Sequence, residues 1–395
     1  MMMSDIESLW LYALASKYLV FTADSIAWMF IMPVLVWLCV ALVHWAHLGG
    51  PAWGKEKLKR WPAAVENRKP IPGPRGWPVI GSMTLMTSLA HHKIAAAAAA
   101  CKAERLMAFS LGETRVIVTC KPDVAKEILN KAVFADRPVK ESAYRLMFDR
   151  AMGFAPYGVY WSTLRRIAAT HLFCPKQIKF GESNRRTIAS QMVSEFMKQK
   201  ECLTVRGILK RASLSNMMCL LFGKEYPLDS SNEEAAELSG LVNEGYDLLG
   251  MLNWADHLPW LADLDGQKVR RRCSQLVPKV NRFVRRIVEQ HREIDCNTKH
   301  DFVHVLLSLE GPDKLSDSDM VAVLWEMVFR GTDTVAVLIE WVLARMVLHP
   351  RVQSTVHDEL NRVVGRSRPV EESDVSSLPY NCIIVWFILS RSNCK

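Results

Sequence analysis

From Phe329 to Pro350 the sequence reads FRGTDTVAVLIEWVLARMVLHP, apolar on nearly every face except at Arg330-Gly331-Thr332-Asp333-Thr334. A glycine, two hydroxyls and a carboxylate within one turn of an apolar helix are costly. Gly331 costs about 1 kcal/mol against alanine in a helix interior. A buried Asp333 costs more unless it is hydrogen-bonded or wetted. Thr332 and Thr334 can donate back to the preceding turn and loosen it. Two readings stand. In one, the run is a bend with Asp333 on an exposed edge. In the other, it is a groove for a small polar ligand, with Thr334 as hydroxyl donor and Asp333 as proton relay. Elsewhere the chemistry is sparse. The 10 cysteines form no C-x-x-C pair and no regular spacing, so neither a zinc site nor a disulfide framework is legible. That scatter fits a reducing compartment. His171, His257 and His304 lack metal-ligand spacing and read as structural.

The interrupted segment needs a long helix to hold it. Ser316 followed three residues on by Asp319 reads as a capping box, and the pattern ends at His349-Pro350. That spans roughly 50 Å at 1.5 Å per residue. A helix apolar all round belongs at the centre of a large domain, and 395 residues, half of them apolar with 13 Trp and 18 Met, suffice to bury one. Periodicity predicts further helices near 123–130, 159–172, 186–199, 204–222, 233–250, 268–293, 301–309 and 351–364. Six alanines between His92 and Cys101 favour helix. RLMAFSLGETRVIVTCKP alternates around Gly112-Glu113 and reads as a β-hairpin. No internal repeat is present. The expected fold is mainly α with a small β-sheet near its start.

The N-terminus sets the class. No Asp, Glu, Lys or Arg lies between Asp24 and Lys55, and Ile26–Val43 is continuously apolar. At 1.5 Å per residue it spans roughly 27 Å, close to a bilayer core. Trp28 and Trp45 sit near its ends as interfacial aromatics do. A signal peptide, the alternative, has a shorter apolar core and a small-residue cleavage site. Lys55, Lys57, Lys59, Arg60, Arg68 and Lys69 follow the span and only Lys17 precedes it, which puts the bulk of the chain in the cytosol. The formal net charge of +9 is then explained in part by this basic segment, without nucleic acid. The expected organisation is an anchor at 1–50, a basic, proline-rich linker at 51–80 that is stiff and extended, a catalytic domain at 81–380 and a separate tail at 381–395.

An ordered set of motifs resembles the cytochrome P450 haem-thiolate monooxygenases. Gly331-Thr332-Asp333-Thr334 looks like their oxygen-activation motif, and PIPGPRGWPVIGS like their proline hinge. FADRP (Phe134–Pro138) and WSTLRR also fall in the family's order. LLGMLNWADHLPWL and EMVFRGTDTVAVLIEWVLARMVLHP, with Arg330, look like the plant subfamily 78A. The resemblance covers residues 1–380. It implies catalytic roles for Gly331, Thr332, Asp333 and Thr334, and places Trp161 and Arg165 near a haem propionate. A guanidinium pairs well with such a carboxylate. It further implies haem, an NADPH-dependent reductase, an apolar, fatty-acid-like substrate, and a single-pass place in the endoplasmic reticulum membrane.

The resemblance stops after SSLPY (Ser376–Tyr380). The next family helix carries Glu-x-x-Arg, and here the sequence reads NCIIVWFILSRSNCK. That spacing occurs at Glu182/Arg185, Glu289/Arg292 and Glu359/Arg362, all upstream of where the fold needs it. The family's ligand loop reads Phe-x-x-Gly-x-Arg-x-Cys. Cys394 has Phe387 seven residues before it, but Ser390 in place of the glycine and a displaced Arg391. The axial cysteine is therefore absent, no metal ligand is assigned, and the expectation is a C-terminally truncated chain with an aberrant, aggregation-prone tail. Two functions compete: a membrane-bound monooxygenase by lineage, or a non-catalytic remnant acting as a membrane-anchored interaction protein. The basic stretch Lys268–Arg292 reads either as a solvated face or as a docking surface for an acidic reductase or anionic lipid.

Overall fold

A computed structural model describes residues 23–59, 70–199, 204–228, 232–293 and 301–380, with backbone alone at 23–27. Lys17, Arg60, Arg68 and Lys69, and the tail 381–395 with Phe387, Ser390, Arg391 and Cys394, lie outside the described residues. The fold is mainly helical with one two-stranded sheet. The chain divides into two compact units, Met1–Phe134 with Trp254–Leu264, and Ala135–Asn253 with Asp265–Lys395.

In the first unit, α1 (Ala23–Trp45) continues as helix through Pro33. Trp28–Trp45 is long and apolar enough to cross a membrane and is almost wholly exposed, compatible with an anchor. α2 (Pro51–Lys59) and α3 (Ala90–Ala100) flank an antiparallel hairpin of β1 (Met107–Leu111) and β2 (Thr114–Val118), which pairs Met107 with Val118 and Leu111 with Thr114. Gly112 makes the turn at φ +52, as the Gly112-Glu113 pair predicts. β1 is buried throughout, and its one polar side chain is satisfied. Ser110 donates to Gly49 O at 2.6 Å and accepts from the Ala52 N–H at 3.1 Å.

The proline-rich connector departs from the stiff extended form expected of it. Trp77 and Gly81 exchange backbone hydrogen bonds at 2.8 and 2.9 Å, and Ser82 donates to Ser110 O at 2.7 Å. Proline removes a donor but leaves its carbonyl, and Pro72 O accepts from the Ala108 N–H at 3.0 Å. The connector thus turns back and lies against β1. Gly81 must be glycine: its φ is +63, and an added Cβ would sit 2.4 Å from Ser110 O. α4 (Pro122–Asn130) follows. His257 Nδ1 lies 2.9 Å from Thr114 Oγ1, and its carbonyl accepts from the Glu113 N–H at 2.7 Å.

The second unit is helical: α5 (Glu141–Arg145), α6 (Val159–His171), α7 (Pro175–Phe180), α8 (Glu182–Lys198), α9 (Val205–Phe222), α10 (Glu233–Gly250), α11 (Val269–Glu293), α12 (Phe302–Ser308), α13 (Asp317–Leu348) and α14 (Pro350–Val363). The predicted ranges hold to within a few residues. α11 buries Cys273, Leu276, Val280, Phe283, Val284, Ile287 and Val288 on one face. Arginines on its other face pair with acids: Arg272 with Glu244 at 2.7 Å, Arg286 with Glu234 at 2.7 Å, and Arg292 with Asp317. Three of its charges are thus internally matched.

α13 is the axis of this unit. Ser316 caps it by accepting from the Asp319 N–H at 3.2 Å, and donates to the Asp319 carboxylate at 2.6 Å. The predicted capping box is therefore present in modified form, with Asp319 taking the serine hydroxyl. Met320 through Phe329 are all buried, chiefly by α9 and also by α10 and α11. Past Thr334 the same helix is largely open.

Candidate functional site

The site is the turn where α13 passes from buried to open. Gly331 lies close against α9: an added Cβ would lie 2.3 Å from the Met217 sulfur, and that side chain would have to shift to admit it. Thr332 is buried and donates to Val328 O at 2.7 Å, while Thr334 is exposed and donates to Arg330 O at 2.7 Å. Both hydroxyls thus bond back to the preceding turn. The helix nonetheless runs unbroken from Asp317 to Leu348. Asp333 is half-buried and ion-paired at 2.8 Å with Lys210 of α9, whose ammonium also reaches Asn243 Oδ1 at 3.3 Å on α10. That pair ties three helices together beside the exposed Thr334 hydroxyl. Tyr246 of α10 donates to Phe329 O and stacks on the Phe329 ring. Burial, reinforced by the charge of Asp333, pushes its hydroxyl up to about 12.

One turn earlier lies a residue that sequence reasoning missed. Glu326 is 1% exposed. Both its carboxylate oxygens accept from the Gly153 N–H, at 2.8 and 3.0 Å, and Arg330 Nε donates to it at 3.1 Å. Burial raises its pKa, against the pull of Arg330 and the backbone donors. An added Cβ on Gly153 would sit 2.1 Å from Glu326 Oε1, so any larger residue there displaces the carboxylate. The available signal was a lone glutamate four residues before an arginine in an apolar run. Lys210 had no such signal, because its partner is distant in sequence.

Trp161 and Arg165 lie on one face of α6. The Trp161 Nε1–H donates to Met152 O at 3.1 Å, and the Arg165 guanidinium sits 5.0 Å from the Trp161 ring centroid. Arg165 is exposed and makes no ion pair among the described residues. The segment Met152-Gly153 therefore receives Trp161 at one residue and binds Glu326 at the next. The structure brings Trp161 together with Arg165, and Asp333 together with α9. No hydrogen bond among the described residues joins Trp161 or Arg165 directly to residues 331–334. A largely apolar cleft of about 490 Å³ runs beside Gly331, walled by Met192, Met217, Leu220, Met327, Val335 and Ile339.

Comparison with known proteins adds a second line of observation. The cytochrome P450 family model matches residues 71–385, five residues into the 381–395 tail. Cytochrome P450 78A9 of Arabidopsis thaliana is 62% identical over 389 residues, covering 98% of this chain and 72% of that relative. Cytochrome P450 78A3 of Glycine max is 60% identical over 384 residues, covering 97% and 72%. Cytochrome P450 703A2 of Arabidopsis thaliana is 30% identical over 347 residues, covering 83% and 68%.

Proposed function

The chain belongs to the cytochrome P450 family, and from that premise we propose a membrane-anchored haem-thiolate monooxygenase lineage that hydroxylates an apolar, fatty-acid-like substrate with dioxygen and reductase-supplied electrons. The observation that carries this reading is the Gly331–Thr334 turn on α13. An exposed hydroxyl stands there beside a carboxylate held by Lys210. Thr334 spends its proton on Arg330 O and keeps its lone pairs outward, so it can accept a proton-bearing ligand. Asp333 next to it is the acid–base group, and the Lys210 ion pair fixes its position. The exposed span of α1 supports membrane insertion, and the reading adds the endoplasmic reticulum as the membrane, with residues 81–380 as the catalytic portion on its cytosolic side.

A bound haem would supply the oxygen-activating iron. The described residues fit part of that group. Arg165, exposed and making no ion pair among the described residues, is placed to hold a propionate, with its guanidinium 5.0 Å from the Trp161 ring centroid. They do not fit the axial sulfur. Burial pushes the thiol of Cys273 up to about 11 and raises that of Cys219, the reverse of what a thiolate ligand needs. The 395 residues contain no Phe-x-x-Gly-x-Arg-x-Cys run. That observation favours the second reading for a polypeptide of these residues alone: a membrane-bound protein without monooxygenase turnover.

The test is the reduced, carbon-monoxide-bound absorption spectrum of the purified 395-residue polypeptide, alone and with residues 381–395 replaced by the C-terminal portion of a close relative. The expected outcome is no thiolate band alone, and a band with reductase-dependent hydroxylation in the chimera. In the chimera, Thr334→Ala should waste oxygen relative to product and Asp333→Asn should slow turnover. A thiolate band from the unaltered polypeptide, or a haem-bound chimera inert toward every apolar substrate, would overturn the reading.

A further inference from the structure

His291 near the end of α11, and Asp301 and His304 at the start of α12, meet in the interior of the second unit. Their side chains are 3 to 5% exposed. One donor atom from each lies within 4.8 Å of the others. His291 Nε2 is 3.3 Å from Asp301 Oδ2, and His304 Nδ1 is 2.8 Å from Asp301 Oδ1. The carbonyl oxygen of Phe222, closing α9, adds a fourth electron-rich atom 3.2 Å from His291 Nε2. Asp301 also caps α12 by accepting from the His304 N–H at 3.1 Å. We propose that His291, Asp301 and His304 form a buried binding site for a divalent cation of the zinc class.

The orientation of His291 is the first reason. Its Nδ1 stands 2.7 Å from Ile287 O, an acceptor only, so Nδ1 carries the proton. The neutral ring then turns a lone pair at Nε2 toward Asp301 Oδ2 and Phe222 O. Three electron-rich atoms facing one another in a buried space require something positive between them. Metal-bound histidines characteristically donate their other ring N–H to a backbone carbonyl in this way.

The second reason is unmet bonding. Asp301 Oδ2 and His304 Nε2 are buried without a hydrogen-bond partner among the described residues. The third is spacing. Zinc–ligand bonds near 2.1 Å give a tetrahedral edge of about 3.4 Å, close to the 3.3 Å from His291 Nε2 to Asp301 Oδ2 and the 3.2 Å from His291 Nε2 to Phe222 O. Two imidazoles with one carboxylate select zinc-like ions over magnesium or calcium. His304 also lines a cleft of about 750 Å³ shared with His171 and Cys174, which gives an ion a way in. Cys219 on α9 feels the Asp301 charge, but its thiol is pushed up mainly by burial, then by Glu225 and Asp301. It stays protonated and outside the ligand set.

The competing occupant is a second proton on His291, and pH separates the two. Metal binding strengthens as pH rises, because the ligands must shed their protons.

The experiment uses the full chain in detergent, stripped of metal and then titrated with Zn²⁺ or Co²⁺ at pH 6 and pH 8. The expected result is one Co²⁺ per chain with tetrahedral visible absorption. Zn²⁺ should raise the melting temperature more at pH 8 than at pH 6. Asp301→Asn, which keeps the shape, should weaken binding at least tenfold, as should His304→Gln, with helical circular dichroism checking that both fold. Surface thiols that bind zinc are indifferent to Asp301→Asn and serve as the internal control. The proposal is overturned if Asp301→Asn binds Co²⁺ as the parent does. It is equally overturned if Zn²⁺ does not raise the melting temperature of the parent at pH 8.

Discussion

Two stretches of one helix, Met320–Phe329 and Val335–Leu348 of α13, are both apolar in sequence and lie in opposite surroundings. In the first, Trp325 is 0% exposed; in the second, Trp341 is 58% exposed, and Val335, Val337, Val347 and Leu348 are open beside it. The first stretch has α9, α10 and α11 against it. The second packs on α14, where Val342 and Met346 meet Val356, and is held to α9 by the Arg206–Glu340 ion pair at 2.8 Å. The difference teaches that apolarity states what a segment is able to bury, while its neighbours decide what it does bury. The Gly331–Thr334 turn falls at the junction. This is where polar side chains are tolerated and where a ligand could approach.

The comparison is broken most directly at Trp325. It packs on the Phe329 ring at 5.8 Å in the largest core cluster. Removing a buried tryptophan costs about 3–5 kcal/mol through lost transfer energy and residual cavity. Trp325→Ala should lower the unfolding free energy of the detergent-solubilised chain by that amount. A loss below about 1 kcal/mol, the mean for unselected substitutions, would mean that this half is not the packed one.

A smaller effect sits at the edge of the buried half. Gly153→Ala places a methyl 2.1 Å from Glu326 Oε1 and drives the carboxylate off its backbone donor. Unmaking a buried polar contact of this kind costs about 1–3 kcal/mol. Glu326 also carries a pH signature of definite sign. Burial raises its folded pKa, so its contribution is complete below about 4.5 and is lost as pH rises through the folded value. Glu326→Gln cannot ionise and should flatten the melting profile across that window. A profile unchanged by Glu326→Gln would assign the pH dependence to another group.

Much of this architecture was legible in the sequence because it rests on local signals. Periodicity and caps located α13, α10 and α11, and Gly112-Glu113 located the hairpin turn. What escaped depends on distant residues. Lys210 meets Asp333 across 123 positions, Gly153 meets Glu326 across 173, and His291 meets His304 through the capping aspartate of another helix. The proline connector misled for a related reason. Its carbonyls found donors on β1, and nothing local announces that. Trp161 and Arg165 were located by motif alone, and the structure adds the loop at Met152-Gly153 that links them to Glu326.

The smallest expected effect is at Trp341, and it sharpens the comparison from the other side. Its side chain is exposed and lies outside every core cluster. Substitutions at such positions usually change stability by no more than about 0.5 kcal/mol. Trp341→Ser combined with Leu348→Ser should therefore leave the melt nearly unmoved. Association should change instead. Val337, Trp341 and Leu348 share one exposed face of α13, and exposed apolar patches beyond a few hundred Å² promote contact between molecules. Sedimentation in matched detergent should shift toward monomer in the double variant. Were the melt to fall by as much as it does for Trp325→Ala, that face would be packed in solution, and the two halves of the helix would be alike after all.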